Sequence, residues 1–286
     1  MSRRTQVSPE WSRLFEQIGL PDAARALAES QSLDSLPGRW TALQKPGLGG
    51  RERWRWEIET EAGPRTLFVK RYFRMPLQAQ WDRWLRQSAA HSRAWWEFEQ
   101  ARLLRAAAIA APAAAAVAEC VSFGVERWSM VCLSAARGKP FDAAWTQATL
   151  EHAPVTRGRA RCELTRRLAR FVAAFHQTGR THRDLYLCHI FVELDDAGAA
   201  PPHFELIDLG RIHLPWLMRS RWIVKDLAQL DASARRIGAT RTDRVRFLTT
   251  YLGLPNGRGR VRTLARAVVR KSNHILRRDA RKGRGH

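Results

Sequence analysis

The chain has 286 residues, with 49 Lys and Arg against 27 Asp and Glu, a formal charge of +22. Hydrophobic residues make up 45%, so wholesale disorder is excluded, and a chain of this length buries a full core without covalent staples. The four cysteines, Cys120, Cys132, Cys162 and Cys188, form no CxxC pair, which argues against a disulfide scaffold or zinc module and fits a reducing compartment. Such a basic surface implies an anionic counterpart: nucleic acid, an acidic membrane face or a phosphorylated ligand. The longest uncharged apolar stretch, 106–118, is mostly Ala and is interrupted by Pro112. It falls short of the roughly 20 residues a spanning helix needs. The start, Met1-Ser-Arg-Arg, is basic but lacks the apolar core of a signal peptide. The expectation is a chain that stays in the cytosol, free or attached to a surface.

In chain order, residues 9–30 read as an amphipathic helix with Trp11, Leu14, Phe15 and Ile18 on one face. After Pro37-Gly38 comes a strand series over 39–45, 51–58 and 66–72, broken by the Gly-rich turn 46–50 and by Ala62-Gly63-Pro64. The middle strand alternates Trp54, Trp56 and Ile58 with Arg53, Arg55 and Glu57, the period-two pattern of a half-buried strand. One helix is predicted from about 78 to 106, followed by a strand pair at 120–125 and 128–133. Leu164, Leu168, Phe171, Val172 and Phe175 mark a helix over 160–177, ended by Gly179. Short strands at 190–194 and 204–207 and helices at 222–237, 242–251 and 261–276 complete the reading. The fold class is α+β, an antiparallel-sheet lobe with one main helix followed by a mainly helical lobe. The boundaries are a helical extension over 1–38, an N-lobe over 39–136, a C-lobe over 137–256 and a basic tail over 257–286.

Five pieces stand in a telling order: the Gly-rich turn with Gly47, Gly49 and Gly50; Lys70 ending an apolar strand; Glu97 on the long helix; His182-Arg183-Asp184 with His189 five residues later; and Leu206-Ile207-Asp208-Leu209-Gly210 after a short strand. Each alone has a plain reading as a hairpin, an end cap, a solvated carboxylate or a common tripeptide. Together they match the needs of phosphoryl transfer, where protein supplies positioning and charge rather than covalent chemistry. Glycines let backbone amides approach phosphates. A strand Lys neutralises those phosphates and a helix Glu orients the Lys. A loop Asp takes the proton of the attacking hydroxyl, and an Asp after a short strand holds Mg²⁺. Glu99 competes with Glu97, but from Glu97 the residues Ala101 and Leu104 fall at i+4 and i+7 on the same helix.

The metal position usually carries Asn; here it is His189. With that departure, the strings His182-Arg-Asp-Leu-Tyr-Leu-Cys-His189, Leu206-Ile-Asp208-Leu and Arg221-Trp-Ile-Val-Lys225-Asp226-Leu-Ala resemble the bacterial lipopolysaccharide core kinases, the Kdo/WaaP family with its InaA-type members, from about residue 40 to 255. The resemblance implies a bilobal protein-kinase-like fold and ATP-dependent phosphorylation of a heptose or Kdo hydroxyl of the lipopolysaccharide inner core. It places the enzyme at the cytoplasmic face of the inner membrane, with a lipopolysaccharide core or lipid-linked sugar as acceptor. It implies Asp184 as base, Asp208 and His189 as metal ligands, Lys70 on the ATP phosphates with Glu97 as its partner, and His182 and Asp226 supporting the catalytic loop. For Asp226 the plain alternative is a carboxylate favoured by the dipole at a helix N-terminus. Against a strict phosphate loop, Glu52 stands where a third Gly would be. Val131 to Ala136 contains no acidic residue for adenine recognition.

Twelve residues separate Asp208 from Arg221 and no Ala-Pro-Glu follows, so a peptide-docking activation segment has no room. Aminoglycoside- and choline-type kinases read His-Gly-Asp, which Arg183 opposes. No nucleic-acid module is present. The remaining alternatives are a kinase of another small metabolite and a catalytically inactive basic binding protein on the same fold. His176 and Cys188 read as structural, Cys188 packing behind the catalytic loop. The tail 257–286 holds eleven Lys and Arg and one Asp, Asp279. Its apolar Val261, Leu264, Ala265, Val268, Ile275 and Leu276 lie near one helical face amid arginines, the pattern of an interfacial helix on an anionic leaflet.

Overall fold

The computed structural model describes residues 2–43, 50–61, 63–73, 75–194, 201–253, 258–281 and 283. The chain forms two compact units, residues 1–106 with 111–135, and residues 107–110 with 136–286.

The first unit contains strands β1 (Ser2–Val7), β2 (Arg39–Ala42), β3 (Arg51–Ile58), β4 (Arg65–Phe73), β5 (Ala114–Ser122) and β6 (Val125–Ser134), with helices α1 (Pro9–Gln17), α2 (Ala23–Glu29), α3 (Leu77–Arg86) and α4 (Arg93–Ala106). Among the described residues they form one antiparallel sheet in the order β1-β5-β6-β4-β3-β2. The alternation in β3 sends Trp56 and Ile58 into the core. Trp56 stacks on Trp40 at 4.7 Å and on Phe15 at 5.9 Å, and its indole N–H donates to the Pro37 carbonyl at 2.8 Å. Gly38 sits at φ +96°, and a Cβ there would lie 2.5 Å from the Trp56 ring nitrogen. Only glycine satisfies both the conformation and the close approach.

Three sequence expectations need correction here. The helix over 9–30 is two helices, because Gly19 takes φ +76° and Pro21 follows, and neither continues a helix. The extension over 1–38 is not wholly helical: β1 pairs with β5 along its whole length. The helix over 78–106 breaks at 87–92. Its second part starts at Arg93 because buried acceptors stand at its N-terminus. Glu119 accepts the Ser92 N–H at 2.7 Å, Glu126 accepts the Arg93 N–H at 3.0 Å, and the Ser92 hydroxyl accepts from Trp95 at 3.1 Å. Carboxylates and a Ser cap are what a helix N-terminus favours. The Ala-rich stretch also becomes strand. Alanine has weak strand preference, but Ala114 to Val121 are all buried, and small side chains let helices approach both faces of β5.

The second unit holds β7 (Lys139–Pro140), α5 (Phe141–Leu150), α6 (Gly158–Gln177), β8 (Ile190–Glu193), β9 (His203–Leu206), α7 (Arg219–Arg236), α8 (Arg241–Tyr251) and α9 (Arg258–Arg281). β7, β8 and β9 form a small antiparallel sheet. α6 buries Leu164, Leu168, Val172 and Phe175. α8 opens with a capping box between Thr240 and Asp243. α9 packs on α7, burying Val268, Ser272 and Ile275. Arg236 pairs with Asp279 at 2.7 Å and Arg235 donates to Asn273 at 2.7 Å. The centre of the tail's apolar stripe therefore packs on α7, so that part of the predicted interfacial face is covered by protein. Among the described residues no helix is long and apolar enough to cross a membrane.

Candidate active site

In the first unit, Lys70 lies on β4 in register with Arg53 of β3 and Val131 of β6. Its ammonium bonds the Glu97 carboxylate of α4 at 2.6 Å. Glu97 is fully buried and Lys70 nearly so, an environment in which an ion pair is strongly felt. Glu99 points away and pairs with Arg102 at 2.9 Å. Gly50 accepts from the Phe73 N–H at 2.6 Å, and a Cβ there would clash with the Phe73 carbonyl at 2.1 Å. That glycine is demanded by the close approach of β3 and β4. Gly47 and Gly49 lie outside the described residues.

In the second unit, the segment 181–189 between α6 and β8 has few backbone partners, so its amides need side chains. One stripe of α7 provides them. Asp226 accepts from the N–H of His182 at 2.6 Å and of Arg183 at 2.8 Å, Gln229 from Leu185 at 3.2 Å, and Ser233 from Leu187 at 3.1 Å. Asp226 also bonds His176 at 3.3 Å, and His176 meets the Tyr251 hydroxyl at 2.9 Å. Asp226 stands two turns inside α7, beyond the first turn where a dipole explanation applies. Lys225 donates to the Arg183 carbonyl at 2.8 Å. Burial, with the nearby charges of Arg183 and Arg211, pushes its pKa down to about 8.

His182 is buried, and its Nε2 faces the Ile207 carbonyl at 2.9 Å. A carbonyl can only accept, so Nε2 carries the proton. Burial and neighbouring His189 hold the His182 pKa below its ordinary value, which keeps the ring neutral. This bond ties the loop to the residue preceding Asp208. Arg183 at φ +66° and Asp208 at φ +57° both occupy the left-handed region, which bulky side chains enter only where surrounding contacts over-determine it.

Asp184, His189 and Asp208 converge, with one ligand atom from each lying within 4.8 Å of the others. Asp184 is held by Arg211 and by Gln229, each at 3.3 Å. His189 Nδ1 faces the Asp184 carbonyl at 2.7 Å, so that nitrogen is the protonated one and Nε2 is left toward a ligand. Burial disfavours charge on His189, but the Cys188 side chain and Asp208 outweigh it and lift its pKa to about 9. Nε2 would have to be unprotonated to ligate a cation. Two carboxylate oxygens and an imidazole nitrogen fit a divalent cation. The nitrogen makes the set less selective for magnesium than an all-oxygen one.

Of the predicted positions, Lys70 and Glu97 come together in the first unit; Asp184, His189 and Asp208 come together in the second, with His182 and Asp226 behind them. Gln229, Ser233, Lys225 and Arg211 were missed. The signal for the first two was present: Asp226, Gln229 and Ser233 recur at helical spacing among leucines and alanines, and a polar stripe inside a buried helix must satisfy something. Cys188 is exposed, which corrects the expectation that it packs behind the loop.

The sequence model of the lipopolysaccharide kinase (Kdo/WaaP) family matches residues 49–251, well over half of the chain. Lipopolysaccharide core heptose(I) kinase WaaP of Pseudomonas aeruginosa is 41% identical over 93 residues, covering 32% of this chain and 35% of that protein. The protein of the same name from Escherichia coli K12 is 37% identical over an equal span. The matched segment thus spans about a third of the curated relatives' length. Among solved structures, WaaP in complex with acyl carrier protein superposes with a TM-score of 0.64 at 25% identity, covering 95% of this chain and 99% of that one. Families of this kind are kinases and use ATP. The match along residues 49–251 and the likeness of fold across nearly the whole length make this chain a member of the lipopolysaccharide kinase (Kdo/WaaP) family.

Proposed function

We propose that the protein transfers the terminal phosphoryl group of ATP to a heptose or Kdo hydroxyl of the lipopolysaccharide inner core, working as a peripheral enzyme at the inner face of the inner membrane. The observation that carries this reading is the cluster of Asp184, His189 and Asp208 on a loop braced by Asp226. Asp184 takes the proton of the attacking hydroxyl on its carboxylate, with Arg211 and Gln229 fixing the carboxylate's orientation. Lys70, aimed by Glu97, neutralises phosphate charge. Asp208 and His189, beside Asp184, would hold a divalent cation, taken to be Mg²⁺, which would supply charge neutralisation for the phosphates. The Gly-rich turn with Gly47, Gly49 and Gly50 is assigned to the nucleotide on sequence grounds.

The test follows labelled phosphate from ATP to lipopolysaccharide carrying an unphosphorylated core. Loss of a general base costs about 10²- to 10⁴-fold, so Asp184→Ala is expected to reduce the rate by that much while still folding. Equal rates for variant and wild type would remove Asp184 from this role. Phosphorylation of a soluble metabolite but not of core sugars would favour the small-metabolite reading. The neighbour's complex with acyl carrier protein makes that carrier a candidate partner here as well, checked by co-purification.

A further inference from the structure

Between Ile212 and α7 the chain exposes a run of large apolar side chains: Leu214 is 54% exposed, Trp216 87%, Leu217 58% and Met218 67%. Single exposed apolar residues are ordinary; a contiguous run that includes a Trp marks an interaction surface. The run is not a loose end. His213 pairs with Thr181 through two backbone bonds of 3.0 Å, and its ring meets Trp222 edge-on at 4.8 Å. At the other end Arg219 donates to the His176 carbonyl. The first anchor sits on Thr181, at the start of the segment that carries Asp184, and the second on His176, whose ring bonds the bracing Asp226, so the apolar tip is mounted beside the catalytic loop's supports.

The surroundings are cationic. Arg219 and Arg221 are exposed at the start of α7, and an open cleft between α7 and α9 is lined by Arg221, Lys225, Arg270, Lys271 and His274, with no carboxylate in its wall. An apolar tip with an indole, set in a basic collar, is complementary to the boundary of an anionic bilayer: Trp favours the headgroup level, Leu and Met the acyl region, and Arg and Lys the phosphates. We propose that residues 214–218 insert into an anionic membrane surface, with the α7–α9 cleft seating lipid phosphates. This deepens the reading of the protein as an enzyme of a membrane-held acceptor and rests on it for its purpose, though not for its test.

The experiment is co-sedimentation of the full chain with vesicles of phosphatidylethanolamine and phosphatidylglycerol (3:1), compared with phosphatidylcholine alone. Wild type is expected to bind the anionic vesicles. W216S/L217S is expected to bind at least tenfold more weakly with its thermal midpoint unchanged, and R270E/K271E to lose binding as well. Full binding by W216S/L217S would overturn insertion. So would loss confined to R270E/K271E, which would mean adsorption by charge alone. A concentration-dependent dimer that W216S/L217S abolishes while vesicle binding persists would assign the tip to a second copy of the chain. Failure of the kinase reading is separable: W216S/L217S should still phosphorylate a soluble core fragment if the chain is a kinase, and vesicle binding is read without turnover.

Discussion

The Lys70–Glu97 pair bears on stability directly and, under the proposed function, on chemistry. Glu97 is fully buried; its Oε1 takes the Lys70 ammonium and its Oε2 has no hydrogen-bond partner among the described residues. Lys70→Met therefore strands a buried carboxylate, a change that typically costs about 3–5 kcal/mol. Lys70→Met with Glu97→Gln removes the charge along with its partner. The double variant is expected to recover most of the stability in urea unfolding and none of the phosphoryl transfer. A double variant as unstable as Lys70→Met would show that the pair's electrostatics are not what the fold depends on. The choice of Glu97 over Glu99 was legible from helix spacing. The brace at Asp226 was legible only through the family resemblance, because a helix carboxylate reads the same in sequence whether it faces solvent or three donors.

At the scale of elements, α3 is turned inside out. Its buried side chains are Gln80 and Arg83, while Leu77, Trp81 and Leu85 are exposed. The burial is sustained because Arg83 serves the carbonyls of Ser88, His91 and Gly124 and lies 3.7 Å from the buried Glu126. Arg83→Ala takes the guanidinium donor from the Ser88 and His91 carbonyls and the neighbouring cation from the buried Glu126, so a loss of about 3–5 kcal/mol is expected, measured as a lowered urea midpoint. A loss under 1 kcal/mol would refute this account. Periodicity alone reverses the helix, since it assumes that the apolar face is the inner one.

α8 offers a pH test. Burial works to raise the Asp243 pKa, but hydrogen bonds from Arg161 and Thr240 outweigh it and leave the carboxyl below its ordinary 3.8. A carboxyl depressed by folding stabilises above its unfolded value, about 3.9, and that contribution is lost as pH falls through the folded value. Asp243→Ala should thus be less stable at pH 7 and show a smaller further loss between pH 5 and 3. A parallel pH profile for variant and wild type would contradict the pairing.

For the whole molecule, ligand linkage is the sharpest readout. A ligand that binds only the folded state at a hundred times its dissociation constant adds about 2.7 kcal/mol, a rise of several degrees for a chain of this size. ATP with a divalent cation is expected to raise the thermal midpoint, and a chelator or Asp208→Asn to abolish that rise. A midpoint unmoved by ATP and cation would favour an inactive binding protein.

The order of motifs along the chain, the alternation of β3, the α6 stripe and the net charge of +22 were determined by the sequence itself. Each is a local pattern whose physical meaning depends on neighbours a few residues away. Tertiary structure alone decided the rest. It turned an Ala-rich stretch into a buried strand, because small side chains admit helices on both faces. It broke one predicted helix at carboxylates contributed by distant strands. It enlisted Gln229 and Ser233 for loop amides. It also packed the apolar stripe of α9 onto α7 and left the run at 214–218 exposed. These outcomes depend on which surfaces meet across long sequence separations, and no local pattern carries that information.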